Sequence, residues 1–380
     1  MCDILLILYG IVGAMIVSGL WLQHFRSISE QVWQFEPGLN LFVAPNGSGK
    51  SNLIEALRVL STGKSWRSTK TDELISWGEE LCRLKAKVAK EDGEEADIEQ
   101  LLTVGVVQGA PAARRSYKLN GVGKRRGDVA GELATVLFTP EDMAIFQTGP
   151  SSRRELLDNV LIQTDRQYRQ DLSKYDRALR RRNKLILQLR DGEVDRRDFF
   201  YWDQLLIETG SYIHEKRLAF LQWLEARPGI RESYKLFYDH SVMSEERLRK
   251  YANAEVGAGH TLVGPHKDDW QIWVKRGGAH TKAADAAVSS SADSQTWRDI
   301  VTYGSRGEQR LSLLWFKLQE VAYIREKLGE NPVMLLDDVF SELDEVNCQY
   351  LLEATAGIQT IITTVPGQEV LPEQAKPLFL

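Results

Sequence analysis

Gly47-Ser48-Gly49-Lys50-Ser51 puts two glycines, a lysine and two hydroxyls in five consecutive positions, a set suited to holding a polyphosphate. The glycines let the backbone come close to the ligand, so that main-chain N–H groups can face it. Lys50 is placed to reach the outer phosphates and Ser51 to put a hydroxyl on Mg²⁺, with Asn46, Ser48 and Asn52 completing the candidate contacts. Ala44 stands where the pattern G-x-x-x-x-G-K-[ST] has its first glycine. If that position needs a positive φ, alanine costs about 1–2 kcal/mol there. A second acidic group, Asp337-Asp338, follows the apolar run Val333-Met334-Leu335-Leu336. Asp337 suits a Mg²⁺ site shared with Ser51, and Asp338 suits orienting or deprotonating an attacking water, which makes Asp338 and Lys50 the candidate catalytic residues.

These residues need an α/β scaffold. Leu39–Val43 reads as a buried strand feeding the loop, and Asn52–Leu60 as a helix that starts at it and ends near Ser61-Thr62-Gly63. Val333–Leu336 has the continuous apolar pattern of a parallel strand, whose carboxyl end faces the same crevice. From Met15 to Val43 the pattern gives two strand-like runs separated by Ser27–Gln34. Arg83–Lys90 and Ile98–Val107 alternate as a hairpin around an acidic turn, and Asn120-Gly121 signals a second hairpin, so an antiparallel β layer accompanies the nucleotide sheet.

Between these two groups the pattern becomes helical. Apolar residues from Leu161 to Leu189 keep three-four spacing, with Asp165 and Arg182 as the exceptions, which predicts one helix of roughly 35 residues, about 50 Å long. A second helix runs from Trp202 to Trp223, and the pair reads either as an antiparallel arm or as two helices packed flat on the head. A third helical piece lies at Glu245–Ala252, and strands are expected at His260–Val263 and Trp270–Lys275. The resulting organisation is an extension at 1–14, a head at 15–148, a helical arm at 149–255 and the rest of the head at 256–380.

The 380-residue chain has a net charge of −5, but positive charge is concentrated in two stretches. Arg166–Arg190 carries a net +7, including Arg180, Arg181 and Arg182. Arg114–Arg126 carries +6 from Arg114, Arg115, Lys118, Lys124, Arg125 and Arg126. Everything else sums to −18, so these stretches are candidate contacts for a nucleic-acid backbone, with a solvated helix face as the plain alternative. Lys64 and Arg67 form a smaller basic segment that leaves the phosphate-loop helix, and it too reads as a contact or as a solvated loop. Cys2, Cys82 and Cys348 are widely spaced without a metal-ligand pattern, which fits a reducing cytosol. Ile4–Leu22 is uncharged and long enough for a membrane helix. No Lys or Arg precedes it, however, and three glycines interrupt it, so the favoured reading starts a cytosolic domain near Met15 with a strand at Val17–Phe25. His266, Asp268 and Asp269 are clustered on a turn, a weak arrangement for a metal, and Thr281–Thr296 has the composition of a mobile loop.

Gly304-Ser305-Arg306-Gly307-Glu308-Gln309-Arg310, ahead of the helix Leu311–Ile324, resembles the signature motif of ABC-type ATPases. Asp337–Asp344 resembles their Walker B segment and D-loop. With Leu60–Arg67, Phe138–Asp142, Arg153–Asp158 and Gly264–Asp269 in this order, the chain is similar to the RecF family of bacterial recombination and gap-repair proteins from about Met15 onward. The resemblance implies an ABC-type head like those of SMC and Rad50 proteins with an inserted helical arm. It also implies a head-to-head homodimer formed on ATP and Mg²⁺, in which the Walker A residues of one copy and Ser305, Gly307 and Glu308 of the other enclose each nucleotide. Asp338 in place of the glutamate of many ABC proteins, and Thr364 in place of the switch histidine, imply slow hydrolysis. The implied partners are double-stranded and gapped DNA bound without sequence reading, RecR and RecO, with RecA loading downstream, in the cytoplasm at the nucleoid. An ABC transporter subunit or another SMC/Rad50-like repair ATPase shares the nucleotide motifs, but a transporter subunit lacks a basic helical arm between them.

Overall fold

The computed structural model describes residues 13–90, 93–107, 110–146, 148–275, 297–366 and 377–379. They fall into two compact units, Met1–Met143 with Leu313–Leu380, and Ala144–Ser312. The inserted unit thus extends past the helical arm read from the sequence and takes in 256–312. The first fourteen residues, apart from 13 and 14, and the segment Thr281–Thr296 lie outside the described residues.

The first unit opens with strands β1 (Ile16–Phe25) and β2 (Ile28–Gln34), joined by a two-residue turn with Phe25 paired to Ile28. Ile28–Gln34 is therefore a strand, where the sequence pattern gives a separator at Ser27–Gln34. Only Ile28 and Trp33 of β2 are buried, so this edge strand has no apolar alternation to read. The apolar stretch from Ile16 to Leu22 lies in β1, between β2 and β4, and is therefore sheet. Among the described residues no helix is long and apolar enough to cross a membrane.

Strand β3 (Leu39–Val43) leads through the phosphate loop to helix α1 (Lys50–Thr62), which Gly63 caps as expected. Strands β4 (Leu81–Ala89), β5 (Glu95–Val107), β6 (Ala110–Leu119) and β7 (Val122–Lys124) complete a six-stranded antiparallel sheet in the order β2-β1-β4-β5-β6-β7. Asn120 at φ 51° and Gly121 at φ 77° make the turn between β6 and β7 that Asn-Gly predicts. Strand β8 (Thr135–Phe138) is buried along its whole length.

The second unit contains helices α2 (Pro150–Thr164), α3 (Arg166–Arg190), α4 (Phe200–Glu225) and α5 (Glu245–Ala258), and strands β9 (Tyr234–Asp239), β10 (Asp269–Lys275) and β11 (Trp297–Asp299). The single helix of roughly 35 residues is in fact two. Asp165 adopts an extended conformation at φ −129° and its carboxylate accepts the Tyr168 N–H at 2.8 Å, capping α3. Asp165 is itself an exception to the three-four spacing, which resumes in phase at Tyr168, so a periodicity that tolerates single polar positions joins the two helices. Helices α3 and α4 run antiparallel, with Arg182 opposite Asp203 and Tyr168 opposite Arg217. His260–Val263 is irregular, and the strands beside β10 are β9 and β11.

Helix α6 (Arg306–Leu328) begins in the second unit and continues in the first, followed by β12 (Val333–Asp337), α7 (Glu345–Ala354), β13 (Thr360–Thr364) and β14 (Pro377–Phe379). These strands complete a parallel sheet in the order β14-β3-β13-β12-β8. β3 thus sits between two strands from the far end of the chain. Helix α1 packs against strands of both sheets, and every residue from Asn52 to Thr62 is buried. Apolar side chains fill most of that helix, and its buried Glu55, Arg58 and Thr62 have hydrogen-bond partners.

The core of the second unit carries charge as well. Arg217, 3% exposed, pairs with Asp158 at 2.9 Å and Asp268 at 3.2 Å, and Tyr238 donates to the same Asp268 carboxylate at 2.5 Å. Arg153 grips Asp269 through two nitrogens, at 2.7 and 2.9 Å. The His266 ring sits between the Tyr175 hydroxyl and the Thr261 carbonyl, and burial pushes its pKa down to about 4. Arg217→Ala leaves the buried Asp268 and the half-buried Asp158 without their cation and is expected to destabilise this unit by about 3–5 kcal/mol, read as an earlier unfolding transition in denaturant.

Candidate nucleotide site

The phosphate loop is built as its residues require. Gly47 and Gly49 have φ of 83° and 97°, values that side-chain-bearing residues rarely adopt. Ala44 is absent from the positive-φ residues and is 2% exposed, so the strain anticipated at this position does not arise. Its N–H donates to the Thr364 carbonyl at 3.2 Å, which ties the loop to β13. Lys50 is buried, and its Nζ donates to the Ala44 and Pro45 carbonyls, the latter at 3.0 Å.

The structure brings the two acidic positions to this loop. Ser51 Oγ donates to Asp337 Oδ1 at 3.1 Å, and Thr363 Oγ1 donates to the same oxygen at 2.6 Å. Burial raises the Asp337 carboxyl above its ordinary range, against the pull of those two hydrogen bonds. Asp338 takes a left-handed conformation at φ 51°, and its N–H donates to the Thr363 carbonyl at 3.0 Å. Burial raises its carboxyl as well, while Lys50 works in the opposite direction. A non-glycine residue in this conformation costs about 1–2 kcal/mol, and such strain clusters at functional sites. Asp338 Oδ1 and Thr364 Oγ1 are both buried without a hydrogen-bond partner among the described residues. Thr364 is itself the last residue of β13, within the strand. A Ser hydroxyl and one carboxylate fit Mg²⁺, which keeps several waters and takes few protein ligands, and the unpartnered Asp338 oxygen is suited to one of those waters.

A cleft of about 910 Å³ opens over the loop, lined by Asn46–Asn52 and Asp338 and by a second group, Arg26, Ser27, Arg67, Asp72, Glu73, Ile75 and Trp77. Sequence reasoning missed the centre of this second group. Glu55, 0% exposed, takes Arg26 through two nitrogens at 3.1 and 2.6 Å and Arg67 at 3.2 Å. Arg67 also donates to Asn52 Oδ1 at 2.8 Å, and Asn52 Nδ2 donates to Ser27 Oγ at 2.9 Å. The available signal was an acid inside the apolar run Leu53-Ile54-Glu55-Ala56-Leu57, a position that only a paired carboxylate tolerates. Asn52 and Arg67 therefore brace the cleft, and Arg67 lies in the nucleotide cleft as well as in the basic segment with half-buried Lys64.

Ser305 and Glu308 form a reciprocal cap at the start of α6 in the second unit. Ser305 N–H donates to Glu308 Oε2 at 2.7 Å, and the Glu308 N–H donates to Ser305 Oγ at 3.3 Å. Burial works to raise the Glu308 carboxyl, but the Ser305 bonds and the neighbouring Arg298 hold it below its ordinary value. Ser305 and Gly307 are exposed.

The basic residues divide into three groups. Arg182 is a correction: it is 3% exposed, pairs with Asp203 at 2.6 Å and Glu255 at 2.8 Å, and donates to Thr261 Oγ1. It belongs to the core of its unit and has no surface to offer DNA. Arg115 and Arg126 donate to the Gly63 and Thr62 carbonyls, where cations complement the carboxyl end of α1. Arg114, Lys124, Arg125, Arg180 and Arg181 are exposed. His266, Asp268 and Asp269 are engaged in the Arg217 and Arg153 network, and among the described residues no group of three His, Cys, Asp or Glu could hold a metal ion.

Comparison with known proteins agrees with this geometry. The family model "RecF/RecN/SMC N terminal domain" matches residues 16–376. The chain is 32% identical over 369 residues to "DNA replication and repair protein RecF" of Thermoanaerobacter sp. (strain X514), covering 92% of this chain and 94% of that protein. It is also 32% identical over 374 residues to the RecF protein of Bacillus velezensis, covering 92% and 93%. A solved structure described as "the recombination mediator protein RecF-ATP in RecFOR pathway" superposes with a TM-score of 0.81 at 30% identity, over 97% of both chains. An ABC-type ATPase head with a parallel sheet, an antiparallel layer and an inserted helical unit, matched in this way along nearly its whole length, belongs to the RecF family of DNA replication and repair proteins.

Proposed function

We propose that this chain is an ATP-dependent DNA-binding protein of recombinational repair whose nucleotide site is completed by a second copy. The observation that carries the reading is the meeting of Ser51 with Asp337 under a phosphate loop whose lysine is folded back onto its own carbonyls. ATP draws Lys50 away from Ala44 and Pro45, because the phosphate oxygens are stronger partners than neutral carbonyls. Ser51 and Asp337 would hold Mg²⁺, which would supply charge neutralisation at the phosphates. Asp338, held by its strained backbone with one free oxygen, orients the attacking water and takes its proton.

The exposed Ser305 and Gly307 of one copy close over the γ-phosphate bound by the other, and the Ser305–Glu308 cap holds the amino end of α6 ready for that approach. Bound ATP therefore joins two copies, and slow hydrolysis by an aspartate base releases them. Double-stranded and gapped DNA binds through its backbone to the exposed cations of both basic stretches, and RecR and RecO act with the clamp to help load RecA, in the cytoplasm at the nucleoid. The support for these partners is family membership and the solved relative's description as a mediator in the RecFOR pathway.

The shared site is tested by mixing. Lys50→Met and Ser305→Arg are each expected to lack ATPase activity alone. Mixed, they regain activity that neither shows, because each mixed dimer keeps one site with both halves intact. A mixture as inactive as its parts rules out the shared site. For DNA, Arg180→Glu with Arg181→Glu is expected to weaken binding and to lower the slope of log affinity against log salt by about 1 for each phosphate no longer neutralised. Arg182 is left alone because its burial makes reversal a folding defect. An unchanged salt slope removes these residues from the DNA surface.

A further inference from the structure

We infer that Arg298 is a positioning residue of the shared nucleotide site: it holds and neutralises Glu308, so that the Ser305 hydroxyl can meet the phosphate bound by a second copy. This rests on the reading that Ser305 and Gly307 complete the other copy's site, and it adds a residue that lies outside the signature motif. Arg298 Nη2 donates to Glu308 Oε1, while Glu308 Oε2 accepts the Ser305 N–H at 2.7 Å. One carboxylate thus joins the arginine to the serine, with an oxygen for each. The Glu308 N–H donates in turn to Ser305 Oγ at 3.3 Å. Ser305 Oγ therefore accepts from its own helix, and its hydroxyl hydrogen remains for an acceptor from outside. Ser305 is exposed, and among the described residues no acceptor takes that hydrogen.

The cap that orders Ser305 also brings a negative charge to it. A carboxylate hydrogen-bonded to Ser305 repels the phosphate that the Ser305 hydroxyl is to meet, unless a cation offsets it. Arg298 is the one cation paired with Glu308 among the described residues. The side chains are 35% and 23% exposed, so water screens the pair only in part. Arg298 Nε is buried without a partner, so the contact is made through one nitrogen and is not a two-point fork. The arginine is itself fixed, because it lies in β11 opposite Val274 of β10. The next residue, Asp299, caps the turn Ile300–Tyr303 by accepting the Val301 and Thr302 N–H groups, both at 3.1 Å. Gln309 Nε2 then donates to the Ile300 carbonyl at 3.0 Å and the Gly304 carbonyl at 3.3 Å, which ties this segment to α6. Strand, turn and helix start form one block, with the Arg298–Glu308 pair as its ionic strut.

The test is ATP hydrolysis by the full chain carrying Arg298→Ala, Arg298→Lys, or Arg298→Ala with Glu308→Gln, each alone and mixed with Lys50→Met or Ser305→Arg. Arg298→Ala is expected to lose about tenfold in activity, the effect of removing one charged partner. Arg298→Lys recovers most of the loss, since a single point of contact is enough. The double variant also recovers most of it, because glutamine still accepts the Ser305 N–H and brings no charge to the phosphate. Mixing with Lys50→Met raises activity above that of Arg298→Ala alone, whereas mixing with Ser305→Arg does not, because both lesions then lie in the same half of the site. Arg298→Ala as active as wild type overturns the inference. A double variant as weak as Arg298→Ala also overturns it, since the arginine then only supports the fold. So does an Arg298→Ala protein that Lys50→Met fails to restore while the mixture of Lys50→Met with Ser305→Arg recovers activity. If that reference mixture stays inactive, the shared site falls and this inference falls with it.

Discussion

The hydrogen bond from Ser51 to Asp337 joins residues 286 positions apart, and the rest of the head is arranged to permit it. Strand β3 must lie between β13 and β14, from the other end of the chain, before the phosphate loop can face the carboxyl end of β12. The inserted unit, residues 144–312, then has to leave and return without disturbing that pairing. Helix α1, buried against strands of both sheets, carries Ser51 at its first turn and Glu55 one turn later. One fixed helix thus sets both the Ser51 hydroxyl and the arginine pair of the cleft.

The site is built for ligands it must wait for. Lys50 is satisfied by loop carbonyls, Asp337 by two hydroxyls, and Asp338 is left strained with an unpartnered oxygen. Buried polar atoms without partners are costly, so retaining Asp338 Oδ1 and Thr364 Oγ1 together at the end of two adjacent strands points to groups arriving from outside. The second unit resolves its own charge differently: Arg217 and Arg182 each take two carboxylates in the core, so its basic character at the surface is smaller than its composition suggests.

The readable part of the sequence was the part with local rules. The phosphate loop, the Asp337-Asp338 strand end, the Asn120-Gly121 turn and the Gly63 cap depend on adjacent residues, and the structure has each of them. The misreadings came from non-local constraints. Asp165 breaks a helix because its carboxylate turns back to cap the next one, while the apolar spacing resumes beyond it at Tyr168. β2 is a strand because β1 offers it an edge, although its own side chains are mostly polar. Arg182 sits in a basic run yet faces Asp203 and Glu255, partners that lie 21 and 73 positions away. Ala44 looked like a defect only because the pattern, not the backbone, called for glycine.

The central claim is that the phosphate loop is half a site, with the other half supplied by a second copy. Sedimentation velocity of the purified chain, with and without ATP and Mg²⁺, tests it most directly, with Lys50→Met as the comparison. The account predicts a monomer without nucleotide, a dimer with ATP, and a Lys50→Met protein that stays monomeric in both. A wild-type chain that binds ATP and remains a monomer at every concentration contradicts it.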